Sequence, residues 1–196
     1  MGRPVRSPAA DVVYHVLNRA NGRQRLFDDD GDYAAFEQVL AQASARVSMR
    51  LLAYCVLPNH WLLVVWPRQD GDLSRFMHWL TLTHTQRWHQ HRRTVGEGHV
   101  YQGRFKSFPV ETSEYLVTVC RYVERNPVWA GLVERAEQWR WSSVGMGGSG
   151  PVHAWPMERP SKWFDWVNEG EANEQLSAIR KSVTKGQPCG SEAWVN

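Results

Sequence analysis

The sequence has few cysteines and no long hydrophobic run. Of its 196 residues only Cys55, Cys120 and Cys189 are cysteine, and no two of them have Cys-x-x-Cys spacing. An odd number without that spacing argues against a disulfide scaffold and favours a reducing compartment. No stretch approaches the ~20 apolar residues of a membrane span, and the charged N-terminal segment lacks the apolar core of a signal peptide. We therefore expect a soluble cytoplasmic protein without membrane attachment.

The net charge is also small, so the distribution of the charges is more informative than their sum. A formal net charge of +3, with 42% hydrophobic and 22% charged residues, fits one ordinary folded domain with appendages. Residues 1–25 contain five Arg and one Asp, and residues 74–110 contain five Arg and one Lys against Glu97 alone. Such clustering indicates a basic face suited to a polyanion, although a solvated helix face produces the same pattern.

Hydrophobic periodicity predicts the order strand, helix, strand, strand, helix, strand, helix. Strands are predicted at 12–18, 51–57, 61–66 and 105–110. The helices are predicted to begin at Asp30 or Asp32, at Asp72 or Ser74, and at Thr112 or Ser113, and Asn126-Pro127 is predicted to interrupt the last of them. This order predicts an α+β fold: a ferredoxin-like β-α-β-β-α-β sheet with helices on one face, an extra helix and a C-terminal tail.

Glycine and proline mark the end of this pattern. The run GMGGSG at 145–150 predicts a flexible linker over residues 145–160, which separates a domain at 1–144 from a C-terminal segment at 161–196. That segment contains a predicted helix from about residue 171 to 183 and a short basic tail.

Four motifs occur in one order along the chain: PNH at 58–60 before a buried strand, a basic helix, GRFKS at 103–107, and RYVERNP at 121–127. Each motif is loose by itself, but together, on this order of strands and helices, they resemble the REP-associated tyrosine transposases of the single-tyrosine HUH superfamily. The resemblance runs from about Tyr14 to Ser143. It implies a prokaryotic, nucleoid-associated protein that binds single-stranded or hairpin-forming palindromic repeat DNA, as a monomer or homodimer. Residues 1–144 would be its catalytic domain and 161–196 a DNA-contacting helix and tail.

In that family a His-hydrophobic-His triplet on the central strand binds a divalent metal, Mg²⁺ or Mn²⁺. Alternate residues of a strand share a face, so two imidazoles can meet one ion. Here the triplet falls on His60, Trp61 and Leu62, and leucine has no donor atom. We therefore expect a weakened or lost metal site and impaired cleavage. His15 and His84 lie on neighbouring predicted elements and could approach Leu62. From the residues alone, a hydrogen bond within the turn is the simpler role for His60.

Tyr122 and Asn126 are four residues apart on the predicted helix and share a face. The resemblance implies that Tyr122 is the nucleophile, which forms a 5′-phosphotyrosine with one DNA strand, and that Asn126 is a further metal ligand. Spacing alone does not distinguish Tyr122 from Tyr115, which lies on roughly the same face. Asn126 before Pro127 is also the pattern of a helix N-cap followed by proline at the first helical position.

Basic residues interleaved with aromatic residues are the last feature, because cations neutralise phosphates and aromatic rings stack on unpaired bases. The candidate DNA-binding residues are Arg19, Asn21, Arg23, Arg87, Arg92, Arg93, Arg104, Lys106, Arg180, Lys181 and Lys185. The sequence thus predicts a transposase-like protein that cleaves and rejoins single strands, or a non-cleaving derivative that recognises the repeats only. An unrelated RNA-binding module is disfavoured because the strands lack its exposed aromatic pattern.

Overall fold

The fold is a four-stranded antiparallel sheet covered by helices. The computed structural model describes residues 9–112, 114–145, 151–170, 179 and 188–191. The strands are β1 (Val13–Arg19), β2 (Arg50–Leu57), β3 (His60–Trp66) and β4 (Lys106–Val110). The helices are α1 (Asp30–Val47), α2 (Asp72–Arg92), α3 (Glu114–Trp129) and α4 (Trp163–Asn168). The strand order β2-β3-β1-β4, with antiparallel neighbours throughout, confirms the predicted α+β fold.

Both faces of the sheet are buried, because alternate residues of each strand point to opposite sides. Val16, Leu63 and their neighbours pack against α1 and α2 in one hydrophobic cluster. Leu62, Val64 and their neighbours pack against α3 and α4 in a second cluster. The two helices of the ferredoxin-like pattern therefore share one face, and the extra helix α3 covers the other. Among the described residues, no helix combines the length and apolar composition needed to cross a bilayer.

Acidic residues lie at the starts of α1 and α2, but the N-cap of each helix is one residue before the nearest predicted cap. The N-cap of α1 is Asp29, whose carboxylate accepts the backbone N–H of Asp32 at 3.0 Å. The N-cap of α2 is Gly71, and Asp72 at the first helical position accepts the backbone N–H of Gln69 at 2.8 Å. Ser113, one of the two predicted starts of α3, lies outside the described residues, and α3 begins at Glu114.

The prediction that Asn126-Pro127 interrupts the third helix is wrong, because α3 continues through Pro127 to Trp129. Proline removes one backbone donor and typically costs about 3 kcal/mol inside a helix. Here the ring of Pro127 is buried, which offsets part of that cost. Gly131, just beyond the helix, terminates it and has a positive φ of 67°. The N–H of Gly131 donates to Val128 O and that of Leu132 to Pro127 O, both at 3.0 Å. This is the Schellman arrangement that glycine favours.

Residues 151–160, within the predicted linker, lie against the sheet. His153 donates its backbone N–H to Leu51 O at 2.7 Å, and Trp155 donates its indole N–H to Leu52 O at 3.0 Å. The short helix α4, which periodicity did not predict, follows at once and packs on α3. The predicted helix at 171–183 lies outside the described residues apart from Ile179, and so do Arg180, Lys181 and Lys185.

Candidate active site and nucleic-acid interface

A cleft of about 400 Å³ opens at the end of the sheet where β1 ends and β3 begins. In the sheet register Arg19 is paired with His60, and Leu17 with Leu62. The helix α3 brings a tyrosine over these strands, and the chain from 102 to 106 forms the remaining wall. The side chains that line the cleft include Arg19, His60, Leu62, Arg104, Lys106 and Tyr122. Four parts of the chain that are distant in sequence thus meet in one cleft.

His60 is held in one orientation by the residue before it. Its Nδ1 lies 2.7 Å from Asn59 Oδ1, in the turn that joins β2 to β3. Burial, together with the nearby Arg19 guanidinium, lowers the pKa of His60 to about 4. The ring is therefore neutral at neutral pH, and a hydrogen bond from Nδ1 leaves the lone pair on Nε2. The turn hydrogen bond expected from the residues alone is present, and it also leaves Nε2 able to accept.

No imidazole takes the place of Leu62 in the described part of the chain. His84 lies on the opposite face of the sheet, where its Nδ1 is 2.6 Å from the Tyr101 hydroxyl. His15 lies on the same face as Leu62, but its ring packs edge-on against Tyr122, with the centroids 5.8 Å apart. His15 is buried, and its Nε2 has no hydrogen-bond partner among the described residues. Of the two candidates, only His15 is near the site, and it does not line the cleft.

Tyr122, and not Tyr115, lines the cleft. The Tyr122 ring is half-buried between two aromatic neighbours, His15 and Trp129, and the centroid of Trp129 is 5.3 Å away. Tyr115 packs at the margin of the second hydrophobic cluster instead. The tertiary structure therefore separates two tyrosines that helical spacing alone could not.

Asn126 lies inside α3 and is not the N-cap of a new helix. Its side-chain amide donates to the backbone carbonyl of Tyr122 at 3.1 Å, so the two residues are linked by the helix itself. Asn126 is half-buried and does not line the cleft. Its Oδ1 is the atom that would act as a ligand, since the Nδ2 group is already used as a donor.

The donors around the cleft do not fit a divalent-metal site by themselves. Mg²⁺ and Mn²⁺ favour carboxylate, carbonyl and water oxygens, and a stable site needs several protein donors. Of the two predicted ligands, His60 lines the cleft and Asn126 does not. The described lining adds the amide side chains of Asn18 and Gln102, but it contains no carboxylate. No three His, Cys, Asp or Glu side chains form a metal-binding group among the described residues. Arg19, Arg104 and Lys106 also make the cleft repulsive to a cation.

The predicted DNA-binding residues lie in different places. Arg19, Arg104 and Lys106 line the cleft, while Asn21 and Arg23 are exposed in a short turn after β1. At the end of α2, Arg92 is bound by the carboxylates of Asp28 and Asp32, each at 2.7 Å. Arg87 donates to Gln42 at 3.0 Å, and Arg93 ends the helix with an exposed side chain. The acidic run of the sequence therefore partly neutralises the basic end of α2.

Two further clefts involve residues that the sequence did not single out. One, of about 630 Å³, lies between α2 and the chain from 98 to 105. The other, of about 590 Å³, lies between the end of α1 and the start of α2 and is lined by Arg46, Arg68, Arg75, His78 and Trp79. Arg75 belongs to the basic stretch at 74–110, but Arg46 and Arg68 lie outside both basic stretches, so charge clustering along the chain gave no signal for them.

Comparison with known proteins agrees with this geometry. The family model for IS200-like transposases matches residues 9–126. By structure, the chain is similar to a REP-associated tyrosine transposase solved bound to a REP hairpin, with a TM-score of 0.60 and 19% identity over 88% of this chain and 99% of that chain. A protein described as a transposase from Deinococcus radiodurans gives a TM-score of 0.45 and 16% identity over 63% of this chain and 96% of that one. No curated protein matches.

The matched span contains every strand of the sheet, the PNH turn and α3 as far as Asn126. It therefore includes the whole cleft, with His60, Leu62 and Tyr122. Since the family model covers more than half of the chain, the protein belongs to the IS200-like transposase family.

Proposed function

We propose that the protein binds the single-stranded flank of hairpin-forming repeat DNA, and that Tyr122 cleaves and rejoins this strand slowly. The observation that carries the proposal is the cleft that places Tyr122 beside His60 and three cationic side chains, with no carboxylate in the described lining. A cationic cleft attracts a phosphodiester, and the tyrosine supplies a nucleophile next to it. The structurally similar REP-associated transposase was solved with a REP hairpin, which supports repeats of this kind as the ligand.

The chemistry is a transfer between two phosphodiesters. The Tyr122 oxygen bonds to phosphorus and loses its proton to water, while the bond from phosphorus to O3′ breaks. The O3′ atom takes a proton and leaves as a free 3′-OH, and the other strand end stays linked as a 5′-phosphotyrosine. This link conserves the bond energy, so attack by a 3′-OH can rejoin the strand without ATP.

Arg19, Arg104 and Lys106 would hold the phosphate and balance the charge that develops on it. Activating the nucleophile is harder, because a phenol has a pKa of about 10 and stays protonated at neutral pH. The divalent ion implied by the family would be held here by His60 and Asn126 alone. This donor set is incomplete at Leu62, and we infer that cleavage is slow for that reason.

The test is a covalent-adduct assay with a hairpin that carries unpaired flanks, in Mg²⁺ or Mn²⁺. We expect the native chain to bind the hairpin but to give little or no protein–DNA adduct on a denaturing gel. Leu62→His restores an imidazole on the same face as His60, so it should raise the adduct yield. Tyr122→Phe added to Leu62→His should abolish the adduct, whereas Tyr115→Phe, a matched change on the same helix, should leave it intact.

The outcomes separate cleavage from binding alone. An abundant adduct from the native chain that requires Tyr122 would overturn the claim that Leu62 impairs cleavage. If even Leu62→His gives no adduct while binding remains, cleavage through Tyr122 is wrong and the protein is a non-cleaving DNA-binding derivative. Leu62 is the observation that favours this second function.

Binding to DNA should weaken steeply as the salt concentration rises, because cationic side chains that contact the phosphates release counterions from the DNA. An affinity that is insensitive to salt would contradict both functions.

A further inference from the structure

The three clefts follow one another across the surface and share lining residues, so together they define one path. The cleft at Tyr122 and the middle cleft share Asn18, Gln102, Gly103 and Arg104 as lining residues. The middle cleft and the cleft at the start of α2 share His78. The path thus leaves the active-site cleft over the 98–105 chain and follows the outer side of α2 toward its N-terminus.

One face of α2 forms the floor of this path. Ser74, His78, Thr81, Leu82 and Thr85 recur at helical spacing, and all of them line the middle cleft. Ser74, Thr81 and Thr85 carry hydroxyl groups that suit sugars and phosphates, and Leu82 is 46% exposed. A solvent-exposed leucine among small polar side chains gives bases an apolar surface without selecting a sequence.

All but one of the acidic and basic side chains (Asp, Glu, Lys, Arg) in the described lining of the three clefts are cationic. Six cations line the three clefts: Arg19, Arg46, Arg68, Arg75, Arg104 and Lys106. The single carboxylate in the described lining is Asp72, which is buried and bound by Arg75. Arg46 and Arg68 are exposed, and the Arg68 side chain donates a hydrogen bond from Nε to Ser48 O at 3.2 Å. Charge complementarity therefore favours a polyanion over the whole path.

We propose that the unpaired DNA strand held at Tyr122 continues along α2 and that Arg46, Arg68 and Arg75 bind its phosphates at the far end, an inference that rests on the proposed function. The opposite direction, toward the end of α2, is less suited because two carboxylates, those of Asp28 and Asp32, face the single guanidinium of Arg92. Trp79, which is half-buried beside the three arginines, offers an aromatic surface to a base at that end.

The length of the path determines how many nucleotides of the strand it can hold. Arg75 and Thr85 are ten residues apart on α2, a distance of about 15 Å at about 1.5 Å per residue. Stacked nucleotides rise by about 3.4 Å each, so this stretch holds about four of them. With the nucleotides at Tyr122, the path accommodates about six, within the range of about 4–16 observed for single-strand sites.

The experiment measures the affinity of the full chain for fluorescent hairpins with unpaired thymidine flanks of two, six or ten nucleotides, placed on the 5′ or the 3′ side. We expect the affinity to rise from two to six nucleotides on one side only and to change little beyond that. In the variant Arg46→Gln/Arg68→Gln this gain should fall by about tenfold, and the slope of log Kd against log salt should decrease by about 1.4. Arg75 is left intact because it binds the buried Asp72.

The matched control is Arg135→Gln/Arg140→Gln, which removes two exposed arginines that line none of the three clefts. This control should keep the gain with flank length, and thermal unfolding of both variants should verify that they are folded. The path along α2 is wrong if longer flanks do not increase the affinity, or if they increase it equally on the 5′ and 3′ sides. It is also wrong if the increase is the same in both variants. Binding of the two-nucleotide hairpin, and its loss in Arg104→Gln/Lys106→Gln, tests the proposed function separately.

Discussion

His15 lies beneath Tyr122 with a buried ring whose Nε2 has no hydrogen-bond partner in the described part of the chain. Burial lowers the pKa of His15 to about 4, whereas a histidine in the unfolded chain titrates near 6.5. Between these values the unfolded state binds more protons than the folded state. Stability therefore rises with pH across this window and is lost as the pH falls through it.

We predict that His15→Leu flattens the pH dependence of stability. The free energy of unfolding should lose a contribution of about 1.4 kcal/mol per pH unit between about pH 4 and 6.5, because one buried titrating ring is removed. At pH 7 the variant should be as stable as the native chain or slightly more so, since an unpaired buried polar atom is replaced by an apolar group. Urea unfolding at several pH values measures both effects.

Phe108→Leu is the matched control, because Phe108 is a buried ring next to His15, with centroids 6.1 Å apart, and it does not titrate. This control should lower stability at every pH while keeping the native slope. Identical slopes for His15→Leu and the native chain would show that His15 is protonated to the same extent in the folded and unfolded states.

At the scale of elements, the residues of the motif RYVERNP have two roles on helix α3. Tyr122 faces the cleft, while the charged residues of the motif hold the segment that contains α4. Arg121 donates to Glu169 O at 2.7 Å, and Arg125 donates to Val167 O at 2.5 Å. The buried carboxylate of Glu124 accepts from the Trp163 indole at 2.6 Å and from Arg159 at 3.1 Å. The position of Tyr122 is thus tied to the packing of residues 151–170.

We predict that Glu124→Ala destabilises the fold by about 2–4 kcal/mol, because the buried Trp163 indole N–H and Ser143 hydroxyl both lose their acceptor. The loss should be accompanied by faster proteolysis within 151–170, where Arg159 and Trp163 lose their acceptor. Glu114→Ala, an exposed change in the first turn of the same helix, is the control and should shift stability by less than about 1 kcal/mol. Equal effects of the two substitutions would show that Glu124 does not anchor this segment.

At the scale of the whole molecule, both edges of the sheet are covered by the chain itself. Beyond β2, Ser143 donates its backbone N–H to Tyr54 O at 2.9 Å, next to a bridge between Cys55 and Ser142. Beyond β4, Cys189 donates to Pro109 O at 2.8 Å and accepts from the N–H of Glu111 at 2.9 Å. β4 is an edge strand of the four-stranded sheet, but Cys189 lies against part of it. Covered edges disfavour association through the sheet.

We predict that a chain ending at residue 187 self-associates more strongly than the full chain. Removing Cys189 frees the backbone groups of Pro109 and Glu111 for pairing with a second copy. Sedimentation equilibrium at several concentrations measures the change. Cys189→Ala keeps the backbone bonds and should behave like the full chain. If the shortened and full chains have the same mass distribution, the tail does not protect this edge.

Much of the fold followed from the sequence, because alternation and helical spacing are local properties of the chain. They placed β1 to β4 and α1 to α3, within a few residues at most boundaries. The short helix α4 was missed, since its one and a half turns are too brief for a periodic pattern. The helix α3 was expected to be interrupted at Asn126-Pro127. It continues to Trp129 instead, because burial of Pro127 offsets part of the cost of a proline, and Gly131 then terminates it.

The site depended more on contacts between distant parts of the chain. From the sequence came the motifs, Leu62 at a position where the resemblance implies a metal ligand, and Tyr122 as the nucleophile that the resemblance implies, although helical spacing alone does not distinguish it from Tyr115. Only the tertiary structure put Tyr122 in the cleft, bound Arg92 to the Asp28–Asp32 run and gathered Arg46, Arg68 and Arg75 around one cleft. Local spacing determines which residues share a strand or helix face. Which faces then meet depends on how the whole core packs, and that brings together residues separated by tens of positions in the chain.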